Sequence, residues 1–182
     1  KNVNGRLEIL AKNESDLGTV SSYIRINGNS LANGAVDFGS TQTYGLNATL
    51  GVGGLEMGAH DSITNRFMGY GAFTEIGHGG YGYGYQYRHY ISYTYTGEAM
   101  SAYITLDHDG SANYVPDVAV GAKGKFGNVE VAAGVGFDTS RSAQTFRAQI
   151  SAPLSEKIGV KIQGFYNNGT AVWGAQCHGK GG

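Results

Sequence analysis

Large apolar or aromatic side chains occupy every second position through much of this chain. In YQYRHYISYTYTGEAMSAYITLDHDG, residues 85–110, Tyr87, His89, Ile91, Tyr93 and Tyr95 alternate with Gln86, Arg88, Tyr90, Ser92 and Thr94. Across the TGEA turn, Met100, Ala102, Ile104 and Leu106 alternate with Ser101, Tyr103, Thr105 and Asp107. A period of two marks β-strands with one face turned away from water.

The same pattern recurs along the sequence. Leu7, Ile9 and Ala11 oppose Arg6, Glu8 and Lys12. Val20, Ile24 and Ile26 oppose Ser21, Tyr23 and Arg25. Tyr44, Leu46, Ala48 and Leu50 oppose Thr43, Asn47 and Thr49, and Leu55, Met57 and Ala59 oppose Glu56 and His60. Further on, strands are predicted around Val118–Val120, Val129–Phe137, Phe146–Ile150 and Ile158–Ile162, with Lys123, Glu130, Arg147 and Lys161 on the polar phase. Ten strands result. Residues 169–182 lose the alternation and are expected to form an irregular tail after a single barrel domain over 1–168. The connections alternate short and long, and the longest loop is 61–84.

That two-sided rhythm fits an up-and-down barrel crossing an outer membrane, with short turns at one rim and long loops at the other. A soluble sandwich needs large apolar side chains to fill a core ~10 Å thick. Here the apolar rows are mostly Ala, Val, Ile and Leu, with Tyr near strand ends. No helix is expected to cover either face. A closed sheet in lipid satisfies its backbone and has no edges. Tyr44, Tyr87, Tyr93, Tyr95 and Trp173 become candidates for an aromatic belt at the membrane surfaces.

Composition narrows the choice. The 182 residues carry 13 Lys+Arg against 14 Asp+Glu, so no basic surplus exists to bind nucleic acid. With 31 Gly but only 2 Pro, the chain does not read as a disordered Pro/Gly tract. The single Cys, Cys177, excludes an internal disulfide. No segment reaches the ~18 apolar residues of a spanning helix. The opening KNVNGRLEIL has the look of a mature or internal piece.

Specific segments carry a resemblance. GRLEILAKNESDLGTVSSYIRINGNS, YGYQYRHYISYTYTGEAMSAYITLDHDG, NYVPDVAVGAKGKFGNVEVAAGVGFD and LSEKIGVKIQGFY resemble, in order, segments of the alphaproteobacterial trimeric porins. The resemblance covers most of residues 5–168. It implies an all-β, antiparallel up-and-down transmembrane barrel, with about ten or more strands in this chain as against sixteen in the family's full barrel. It implies an outer-membrane channel for passive diffusion of small hydrophilic solutes and ions, not an enzyme, without cofactor. Outer-membrane lipid and lipopolysaccharide would be its surroundings, and a homotrimer its assembly when complete. The loop 61–84 lies where the family folds a constriction loop inward. Two departures stand out: ten strands fall short of the family's number, and the chain ends CHGKGG instead of on an aromatic closing strand.

For such a channel the chemistry is electrostatics at a narrow mouth. Strand direction puts Arg6, Arg25, Arg88 and Arg147 in the outer half of the lumen. Asp61 and Glu75, at the base of the inward loop and within it, are expected to face them, giving a transverse field. Arg66 lies in the loop with no readable direction. Two other readings exist. Asp107-His108-Asp109 at an outer strand end could serve a barrel hydrolase, though no second carboxylate pair faces it. A soluble β-barrel or sandwich binding module is the third. GHGGYGYG opens no helix and has no Lys–Ser/Thr pair, so it is not a phosphate loop. The five His show no metal-ligand spacing.

Overall fold

The structure, a computed structural model, describes residues 4–16, 18–30, 36–37, 42–50, 52–69, 87–108, 115–155, 158–168 and 172–180. One antiparallel sheet contains all the described strands, so no second sheet stacks on it. In chain order they are β1 (Asn4–Ser15), β2 (Gly18–Ser30), β3 (Val36–Asp37), β4 (Gln42–Leu50), β5 (Gly53–Asp61), β6 (Tyr87–Thr96), β7 (Met100–His108), β8 (Asp117–Phe126), β9 (Val129–Asp138), β10 (Ala143–Pro153), β11 (Gly159–Asn167) and β12 (Val172–Lys180). Each pairs with its sequence neighbour, except that the two-residue β3 sits off the path beside β2. This is the expected up-and-down meander. Among the described residues β1 and β12 do not pair with each other, so the sheet is open.

The alternation read from sequence sets the two faces. Leu7, Ile9, Ile24, Leu46, Ile91, Ile104, Ile150 and Ile162 share the convex face and are between 43% and 56% exposed. Aromatic side chains on this face fall at its two ends. Tyr44, Tyr87, Phe137, Phe146 and Tyr166 lie toward the long loops, and Tyr93, Tyr95 and Phe126 toward the short turns. The opposite face carries Arg25, Glu56, Arg88, Lys123, Glu130, Arg147 and Lys161. Short turns suit the strand twist: Phe126 pairs with Val129, and Gly127 takes φ 61° in the two-residue turn between them.

Besides the two-residue β3, which falls in a stretch expected as loop, two elements differ from the sequence expectation. Residues 172–180, expected as irregular tail, form β12, with Val172 to Lys180 paired against Asn167 to Gly159. Ladder pairing uses backbone groups, which the glycines at 174 and 179 still supply after the apolar alternation has faded. The second is a helix where none was expected. Residues Ile63–Met68 form α1, one and a half turns long, at the start of the long loop. A segment so short cannot display a helical period.

Candidate functional site

The loop enters on the polar face. Ser62 caps α1, its Oγ accepting from the Asn65 N–H at 3.3 Å. Asp61 is fully buried, and its Oδ1 accepts from the Ser62 N–H at 2.9 Å and from Asn65 Nδ2 at 3.5 Å. Arg66 ends the helix with a clamp. Its Nη2 donates to Glu56 Oε1 at 2.7 Å and its Nη1 to Glu56 Oε2 at 3.3 Å. Nη2 also reaches the Tyr90 hydroxyl at 2.7 Å, and that hydroxyl donates to Glu56. Burial opposes the Arg66 charge, but the hydrogen bond and charge of Glu56 outweigh it and raise its pKa above the ordinary arginine value.

The last carbonyls of α1 meet cations, which suit the negative end of a helix. Lys123 Nζ donates to Phe67 O at 3.1 Å and sits 4.6 Å from the centre of the Phe67 ring. Arg147, only 3% exposed, donates to Asn65 Oδ1 at 3.3 Å, to Gln163 Oε1 at 3.1 Å and to Gly69 O. The Tyr103 hydroxyl donates to Thr64 Oγ1 at 2.9 Å, and its ring packs 4.7 Å from Phe67.

These contacts require a curved wall. Six spacings of ~4.8 Å separate β5 from β11, nearly 30 Å if flat. Yet α1, about 9 Å long at 1.5 Å per residue, and its adjoining residues reach side chains on β5, β6, β7, β8 and β10, and Arg147 joins β11 through Gln163. The sheet therefore wraps around the helix with its polar face concave. Beneath α1, toward the β6–β7 turn, lies a cavity of about 520 Å³ lined by Glu56, Arg66, Phe67, Glu98, Lys123 and Glu130, among others.

The residues predicted for the site separate into two groups. Arg147 and Asp61 come together through Asn65, as parts of the helix anchorage. Arg6 and Arg25 lie on the wall away from α1, both beside Glu8: Arg25 Nε is 2.8 Å and Arg6 Nη1 3.7 Å from its carboxylate. Arg25 also lies over the Tyr23 ring, which touches His60, and His60 pairs with Arg88 in the β5–β6 register. Arg25 and Arg88 thus border one stretch of wall. Glu75 lies outside the described residues. Asp107 and His108 point to opposite faces, as strand neighbours must: Asp107 is buried on the concave side with Thr105, and His108 lies beside His89 on the convex side. They form no dyad. Asp109 lies outside the described residues.

Sequence reasoning missed Glu56, Arg66, Tyr90 and Lys123 as a set. The one available signal was Ser62 before ITNRFM, a capping residue ahead of a helix start.

A single antiparallel sheet, apolar outside and charged inside, with a loop segment folded onto its inner wall, is the architecture of a β-barrel channel. The family comparison agrees: the family model described as a porin subfamily matches residues 1–179. The chain belongs to that porin subfamily. No curated protein and no solved structure matches it.

Proposed function

We propose that this porin sits in the outer membrane and lets small hydrophilic solutes and ions diffuse passively through a water-filled barrel. The observation that carries the reading is the seating of α1 on the charged concave face while the rows of Ile, Leu and Val opposite remain exposed. A soluble module would bury those rows, whereas acyl chains accept them. In hydrocarbon the outer backbone groups of β1 and β12 must find strand partners to complete a barrel. Lipid and lipopolysaccharide then surround the apolar band, and the complete barrel assembles as a homotrimer. The wall carrying Arg6, Arg25 and Arg88 borders the open lumen and favours anions. Asp61 and Arg147 hold α1 in place. No step of this function is catalytic. Reconstitution into planar bilayers tests it. The expected result is stepwise, ohmic ion conductance from protein that stays compact in detergent gels until heated. Absence of conductance, with monodisperse folded protein in detergent-free buffer, refutes it in favour of the soluble module.

A further inference from the structure

We propose that Gly121 and Gly134, with Tyr103 and Met68 lying over them, set how far α1 stands off the barrel wall and so fix the size limit for solutes. The inference rests on the diffusion-channel reading above.

Four concave positions of β8 and β9 near α1 are small: Ala119, Gly121, Ala132 and Gly134. Gly121 and Gly134 are direct cross-strand partners. A Cβ on Gly121 would lie 2.5 Å from Tyr103 Cε1 and 2.9 Å from Ala133 O. A Cβ on Gly134 would lie 3.1 Å from the Tyr103 hydroxyl, 3.2 Å from Val120 O and 3.3 Å from Met68 Sδ. Met68 and Tyr103 are almost wholly buried there, at 2% and 4% exposure. Tyr103 is joined to α1 by its hydroxyl on Thr64 and its ring on Phe67.

The direction of response follows. Val120 O is backbone within the ladder and cannot give way. A larger side chain at 134 therefore displaces Met68, and the helix moves into the lumen. Its other contacts run to the side chains of Glu56, Tyr90, Tyr103, Lys123 and Arg147, and the long ones among them, with Arg66 itself, can follow. Shortening Met68 does the opposite: a close-packed contact is lost and α1 settles toward the wall. Gly134→Leu narrows the passage and Met68→Ala widens it. Combined, they compensate, because they act on one contact.

The test uses the full chain in proteoliposomes, with swelling rates for a size series of neutral sugars. Wild type admits small sugars and excludes large ones. Gly134→Leu is expected to lower the rate of the largest admitted sugar, relative to the smallest, on the order of tenfold. Met68→Ala raises that ratio, and the double variant returns to within about twofold of wild type. Unchanged size profiles in both single variants overturn the inference, as does a double variant showing no compensation. If Gly134→Leu fails to insert, Met68→Ala decides alone, and an unaltered profile overturns the proposal. A wild type that admits no sugar refutes the channel reading instead.

Discussion

Replacing Glu56 by Gln tests what holds α1 against the wall. A helix of six residues has no stability of its own, so docking must supply it. Glu56 accepts two hydrogen bonds from Arg66, at 2.7 Å and 3.3 Å, and a third from Tyr90. A charged acceptor makes such a bond worth ~1.5–3 kcal/mol, against ~1 for a neutral one. Gln keeps the shape and one oxygen, but it removes the charge and one acceptor, leaving Arg66 half-buried without its counter-ion. The side chains are 28% and 22% exposed, so solvent screens the pair in part. A net loss of ~2 kcal/mol remains, a factor of roughly 30 in the docked-to-open ratio. Amide hydrogen exchange in detergent micelles reads this directly. The Arg66 N–H donates to Ser62 O at 3.1 Å and exchanges when α1 opens. Its protection should fall by roughly 30-fold in Glu56→Gln. Glu8→Gln removes the partner of Arg25 on the far wall and should leave Arg66 within about twofold. An Arg66 amide equally protected in Glu56→Gln and wild type would refute the clamp.

Three more outcomes are expected. Ile91→Arg places a charge in the convex band and should cost ~2–4 kcal/mol if that band meets the bilayer midplane; urea unfolding in lipid vesicles measures it, and no change there argues against a lipid-facing row. Gly121→Val drives a side chain against the Tyr103 ring and Ala133 O and should cost ~1–3 kcal/mol, seen as a lower thermal midpoint in detergent. Arg88→Ala should shift single-channel reversal potentials toward cations, with about a twofold change in permeability ratio, and Arg25→Ala by less because Glu8 already partners Arg25; unchanged potentials in both remove these arginines from the lumen.

Much of the molecule was legible in one dimension because a strand's side chains alternate strictly between faces. The meander order of the strands up to β11, β3 apart, and the polar phase bearing Arg25, Glu56, Arg88 and Arg147 follow from a period of two and the short turns that punctuate it. β12 escaped because backbone pairing needs no apolar alternation. The helix escaped because six residues hold less than two turns. Arg147 shows the limit most clearly. Its phase marks it as inward-facing, and it is, but phase cannot tell an arginine open to the lumen from one buried under a helix whose Asn65 lies 82 residues away in sequence.

The sequence by itself determined which side of the sheet is oily and which is charged, since that depends only on neighbouring positions along a pleated chain. Where the loop lands, and so which cations hold it and which are left to water, was decided by tertiary structure. That choice depends on the curvature that brings β5 and β10 within reach of one short helix, and on the two glycines that leave room for it.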